Sequence, residues 1–267
     1  MNFLQIERAI PGIQPNILFD IAGFPIAAST LMIFLIIMIF ALFGYIVHRS
    51  FKQTPGTFQS LVEMMYEGIV DMLDEVTNNK QRSAAIFPVI ASMFVYLLVA
   101  NLLGLLPFIS ELTWAGKPMF QTPTSDFNTT FGLALGAIII INIISIKEWG
   151  IGAFLGKFFK VKEVTLAFKK GMGEGTMSLV DAFVGLLDII GEIAKVISLS
   201  IRLFANMYAG QILAIILLGA FAYVVPSVWY GMNIFVGALQ AMVFSVLVAA
   251  YYMLAIKEED QETQENS

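Results

Sequence analysis

Asp188, Glu192, Lys195, Arg202 and Asn206 have the types and spacing to do chemistry in an otherwise apolar stretch, SLVDAFVGLLDIIGEIAKVISLSIRLF and on into ANM. On a helix, Lys195 falls about 20° from Arg202, Asp188 and Asn206 about 40°, and Glu192 about 80°, so the five make one polar stripe. Asp188 and Glu192 are one turn apart, and Glu192 and Lys195 are three residues apart, close enough to pair. A charge at the centre of a membrane helix costs roughly 2.5–3.5 kcal/mol on insertion scales. The acids and Lys195 therefore either sit at a helix end near the headgroups, where long side chains snorkel, or line an ion path. Arg202 is the stronger signal. It is followed by 54 uncharged residues, and a guanidinium keeps its proton in proteins. Its counter-ion has to be a carboxylate from elsewhere. Gln211 is about 180° around the helix from Arg202 and points the opposite way.

A second polar set lies downstream. Asn233, Gln240 and Tyr251 return to one helical face, with Gly237 between the first two at helical spacing. Gly237 leaves room there for water or a neighbouring helix. Such amides serve as packing glue between membrane helices or as the polar lining of an ion path. Other chemistry is excluded. There is no Cys and a single His, His48, which removes disulfides, thiol nucleophiles and multi-histidine metal centres. Fifteen Lys+Arg against 20 Asp+Glu give a net charge of −5, so no basic face for nucleic acid is expected. GMGEGT (171–176) follows no strand and lacks the Lys-Ser/Thr of a phosphate loop; it reads as a flexible connection. No cofactor or metal site is expected.

The elements that hold these residues follow from the gaps between charges. The chain has 267 residues, 58% hydrophobic and 13% charged, where soluble domains carry about 25% charge. A membrane span needs about 20 apolar residues. Uncharged runs of 27, 28 and 20 residues separate Asp20 from His48, Arg82 from Glu111, and Asp126 from Lys147. The 54-residue run after Arg202 suits two spans, broken near Pro226 and Gly231. The reading is an all-α integral membrane protein of about five membrane helices, near 26–47, 85–107, 128–146, 177–222 and 228–256. They form one membrane domain over 21–256, after an external segment 1–20 and before an acidic tail, 257–267, expected to be unstructured. The first run lacks the basic start and small-residue cleavage site of a secretory signal and reads as an anchor.

Basic residues set the orientation. With the N-terminus outside, eleven fall in inner segments, including Arg49, Lys80, Lys147 and the lysines of 157–170, while Arg8 and Lys117 are outside. The expectation is N-terminus out, C-terminus cytoplasmic. Residues 57–76 recur as a helix with Leu61, Met65, Ile69, Met72, Leu73 and Val76 on one face and Glu63, Glu67, Asp71 and Asp74 on the other. That helix suits the inner membrane surface or a partner subunit.

SLSIRLFANMYAGQ (198–211) resembles the signature of subunit a of the F-type ATP synthases. NLLGLLPF (101–108), PTSDFNTTFGLALG (123–136), SIKEWGIGAF (145–154) and LQA (239–241) are similar to that family in the same order. The resemblance implies a stator subunit beside a c-ring of proteolipid subunits, held by peripheral-stalk b subunits in a bacterial plasma (inner) membrane. It implies long, tilted last two helices. It gives Arg202 the role of the essential arginine facing the ring carboxylate, with Gln240 close to it, Asn206 one turn on, and Asp188 on the ion's path. It implies two offset half-channels for protons, no catalysis by this chain alone and no nucleotide site. Gln211 and Asn233 depart from the family, which often has ionisable groups there, and Glu192 is an acid where many members are apolar. The remaining acids, Asp188 and Glu192, are then the candidates to pass a proton. The alternative is a self-contained secondary transporter or channel, which would carry inverted repeats and its own paired charges; no repeat is visible. A purely structural anchor would not tolerate Arg202.

Overall fold

A computed structural model describes residues 16–21, 23–52, 56–106, 109, 112–114, 117–151, 172–220 and 224–265. The N-terminal segment 1–15 and the lysine-rich stretch 152–171 lie outside the described residues. Six helices dominate: α1 (Ala28–Ser50), α2 (Thr57–Thr77), α3 (Lys80–Leu105), α4 (Phe127–Trp149), α5 (Met172–Ala220) and α6 (Val224–Glu265). Two short antiparallel hairpins, β1–β2 (Ile17–Ile21, Phe24–Ala27) and β3–β4 (Thr113–Trp114, Lys117–Pro118), precede α1 and follow α3. A single 3-10 turn, Pro123–Ser125, leads into α4.

Among the described residues, four helices hold an apolar run long enough to cross a membrane: Ala28–Ser50, Lys80–Leu105, Phe127–Glu148 and Ser227–Ile256. α5 contains the remaining expected span within 49 continuous residues. At 1.5 Å per residue it is about 73 Å long, more than twice the ~30 Å of hydrocarbon, so it tilts or runs on beyond the bilayer. The chain is an all-α, multi-pass membrane protein. α2 is the amphipathic helix and does not count among the spans.

Helix ends carry their own sequence logic. Asn78, in the left-handed region at φ 50°, closes α2, and the Asn79 side chain accepts from the Gln81 and Arg82 N–H groups to open α3. Asp126 opens α4 by accepting from the Asn128 N–H at 3.0 Å. Its other oxygen accepts from Ser29 Oγ of α1 at 2.6 Å. Three boundaries differ from expectation. α5 already begins at Met172, taking in most of the glycine-rich segment read as a connection; its two glycines cost about 1 kcal/mol each against Ala, a small sum beside the rest of so long a helix. α6 runs on through Pro226 and Gly231, where a break is expected, because proline is tolerated in the first turn of a helix. α6 runs through the acidic tail to Glu265, since Lys, Glu and Gln extend a nucleated helix at little cost.

α6 is the hub, packed against α2, α3, α4 and α5. Its buried face, with Ala241, Phe244, Val248, Tyr252 and Ile256, meets Ile86, Ile90, Met93 and Leu97 of α3 at alternating three- and four-residue spacing. α4 packs on α5, and α1 leans on α3 through Met32, Ile36 and Ala100. On α2 only the second half of the apolar face is covered: Ile69 and Leu73 are buried, while Leu61 and Met65 stay exposed.

Candidate functional site

The polar stripe of α5 runs along the edge of its buried face. Val196, Leu199, Leu203 and Met207 point into the core, whereas Ile190, Ile193, Ile197 and Ile201 are exposed. Between these faces, Asp188, Glu192 and Lys195 are half-buried and Arg202 and Asn206 exposed. Lys195 Nζ pairs with Glu192 Oε1 at 2.7 Å and lies 5.5 Å from the centroid of the Tyr251 ring on α6. Arg202 has no ion pair or hydrogen bond among the described residues. One turn on, Asn206 Nδ2 donates to Gln240 Oε1 at 2.8 Å. Gln240 is 5% exposed, and its own Nε2 is buried with no hydrogen-bond partner among the described residues. Gln240 therefore meets the stripe at Asn206, not through a hydrogen bond to Arg202.

Gln211 and Asn233 lie together on the far side of Asn206. Gln211 Nε2 donates to Thr122 Oγ1 at 2.9 Å, and the Asn233 amide faces Gly210, where an added Cβ would stand 3.0 Å from Asn233 Oδ1. Trp229 Nε1 donates to the Gly210 carbonyl at 3.2 Å and ties the start of α6 to α5. These residues border a cavity of about 500 Å³, which Asn206, Gln211, Tyr230, Asn233 and Thr122 line on its polar side. Thr113 and Pro118, from the β3–β4 hairpin, reach the same cavity. Along α5, Asp188 stands about 21 Å to one side of Arg202 and Gln211 about 13 Å to the other. Arg202 thus separates an acidic end from a largely apolar cavity whose polar lining is neutral amides and hydroxyls.

The family model for the ATP synthase A chain matches residues 29–253, across all six helices. This chain belongs to that family. The ATP synthase subunit a of Desulforamulus reducens is 36% identical over 207 residues, covering 74% of this chain and 67% of that relative. ATP synthase subunit a 2 of Vibrio campbellii is 33% identical over 240 residues, 86% of this chain and 88% of the relative. ATP synthase subunit a of Solibacter usitatus is 27% identical over 230 residues, covering 86% and 87%.

Other polar residues were not among the sequence candidates. Asn101, Thr122 and Thr124 are buried beside the cavity and joined to α5 and α6. Tyr252 OH donates to Glu148 Oε1 at 2.8 Å between α6 and α4. A lone Asn inside the apolar run NLLGLLPF is the one available signal for Asn101, because a buried amide in a membrane helix demands a partner.

Proposed function

We propose that this chain carries protons to and from the carboxylates of a c-ring through two offset half-channels, and so couples ion flow to rotation and ATP synthesis. Membership of the ATP synthase A-chain family supplies the frame: a multi-pass membrane component of an ATP synthase, serving ion transport and ATP synthesis. The observation that carries the finer reading is Arg202, a permanent, exposed cation on a membrane helix with no carboxylate partner among the described residues. A ring carboxylate in lipid is held neutral by desolvation, and an opposite charge within ~4–6 Å favours its ionised form. Passing Arg202, each carboxylate gives up its proton; leaving it, the carboxylate takes another before re-entering lipid. Arg202 itself relays no proton, so it also keeps the two half-channels apart.

The amide-lined cavity serves as the outer half-channel, since the segment between α3 and α4 that borders it is external in the N-out orientation. Asp188 and Glu192 mark the inner one. Gln240 Nε2, buried without an acceptor, is a donor that water or the ring carboxylate satisfies. The membrane potential supplies ~2.3 kcal/mol per charge per 100 mV, converted to torque because the half-channels are offset. The partners are ring proteolipids, peripheral-stalk b subunits and the bilayer, in a bacterial plasma membrane, with the nucleotide chemistry left to other subunits. Vesicles bearing the assembled complex with Arg202→Gln test the reading. Ion-driven ATP synthesis is expected to be abolished with insertion and assembly intact; synthesis at the native rate would overturn it.

A further inference from the structure

Asn101 has no part in that ion path, yet it is fully buried, at 0% exposure, in a helix face otherwise built from Ile86, Ile90, Met93, Leu97 and Ala100. Its carboxamide is used in two directions. Nδ2 donates to the Gly237 carbonyl of α6 at 3.0 Å, and Oδ1 accepts from Thr124 Oγ1 in the 3-10 turn at 2.8 Å. Within a regular helix the Gly237 carbonyl already takes the Ala241 N–H; Asn101 occupies its second lone pair. Glycine permits the close approach: a Cβ at 237 would stand 3.1 Å from the Asn101 Cβ and push the two helices apart by a few tenths of an ångström. Thr124 shares its turn with Thr122, whose hydroxyl accepts from Gln211 of α5. One short turn therefore ties to both long helices, directly on α5 and through Asn101 on α6.

We infer that Asn101 is a positioning residue: its carboxamide sets the axial register of α6 against α3 and the 122–125 turn, and so keeps Gln240 level with Asn206. Gly237 lies one turn after Asn233 and three residues before Gln240, so the tie acts between the two polar residues of α6. A slip of one residue moves a helix about 1.5 Å along its axis, enough to open the Asn206–Gln240 bond. Leucine fills a similar volume but holds neither partner. An ionised aspartate accepts from Thr124 but sets an oxygen against the Gly237 carbonyl. The consequence for ion transfer rests on the reading of Arg202, Asn206 and Gln240 above; the register does not.

The whole complex in native membranes tests this, because the chain has no cysteine of its own. Asn206→Cys is paired with Gln240→Cys, and separately with Val236→Cys or Phe244→Cys, and each pair is oxidised with Asn101 present or replaced by Leu. The 206–240 yield is expected to fall several-fold in Asn101→Leu, with a gain at one neighbouring pair, and Thr124→Val to give a weaker shift of the same kind. A general loss of folding would lower every pair together. An unchanged pattern in the assembled Asn101→Leu complex overturns the inference. If that variant does not assemble, Asn101→Ala removes the same two hydrogen bonds with less bulk, and an unchanged pattern there overturns it equally. A shifted pattern with native ATP synthesis upholds the register role and removes the 206–240 pair from the ion path.

Discussion

Asn206 on α5 donates to Gln240 on α6 across 2.8 Å, and the acceptor amide keeps its other end buried with no partner among the described residues. The pair sits one turn from Arg202, at the point where the outward-facing stripe passes into the core. A lost hydrogen bond costs about 0.5–1.5 kcal/mol net, small beside the stability of a membrane assembly, and the exposed Asn206 amide can turn to water instead.

Gln240→Leu is thus expected to leave thermal stability nearly unchanged while strongly lowering ion-driven ATP synthesis. The melting temperature of the purified complex and synthesis in vesicles are the two measurements. A fall in melting temperature that tracks the loss of synthesis would make Gln240 a packing residue.

Two glycines differ sharply in what surrounds them. At Gly104 an added Cβ would run into the Thr122 side chain, with Cγ2 at 2.6 Å and Cβ at 2.8 Å, whereas nothing lies within 4 Å of a Cβ at Gly44. Overpacking costs about 1–3 kcal/mol, and Thr122 cannot move without releasing Gln211. Gly104→Ala is expected to destabilise the protein by that amount, and Gly44→Ala to be neutral or slightly stabilising through helix propensity. Thermal unfolding of both variants in detergent checks the contrast; equal melting temperatures would contradict it.

The helices were legible because charge is so scarce. Runs free of Asp, Glu, Lys and Arg mark α1, α3, α4 and α6 without reference to packing, and Ile69 and Leu73 mark the face that α2 buries. The length of α5 followed from the family resemblance and not from span counting, which assumes an upright helix of about 20 residues. The stripe from Asp188 to Asn206 follows from angle alone. What it touches does not: Gln240 is 34 positions from Asn206, and Thr122 is 89 from Gln211. Asn101 escaped for the same reason, its partner Gly237 being 136 positions away. Gln211 and Asn233 read as departures from a family pattern, and only the fold brings them to one cavity.

The distribution of basic residues fixes an expected topology. Eleven fall in segments assigned to the inside, against Arg8 and Lys117 outside, and positive charge is retained on the cytoplasmic side. Reporter fusions at His48 and Ser267 are expected to read cytoplasmic, and a fusion at Lys117 external. An externally accessible Ser267 would mean that the chain crosses the membrane one time fewer or more than its helices indicate.

The proposed inner half-channel gives the sharpest contrast between a relay and a structural pair. Asp188 and Glu192 lie about 40° apart on one stripe, one turn from each other, and both are half-buried. Gln211 and Asn233 do not ionise, so these two, the acids nearest to Arg202 along α5, are the candidates to hand on a proton. Glu192, however, already holds Lys195 at 2.7 Å, with side-chain exposures of 16% and 19%. Three residues apart on one helix, Lys195 orients the Glu192 carboxylate without occupying both of its oxygens. If the two acids relay protons, either one substitutes for the other across a single turn. Asp188→Asn or Glu192→Gln alone is then expected to slow passive proton flux only modestly, and the double change to slow it far more than the two single effects combined. Lys195→Met serves as the control, since it removes the pair and spares both acids; near-native flux is expected. Flux through membranes stripped of the catalytic head measures all four variants. Unaltered flux in the double variant would mean that water alone carries the proton past this end of α5, and that the Glu192–Lys195 pair serves only to hold the helix.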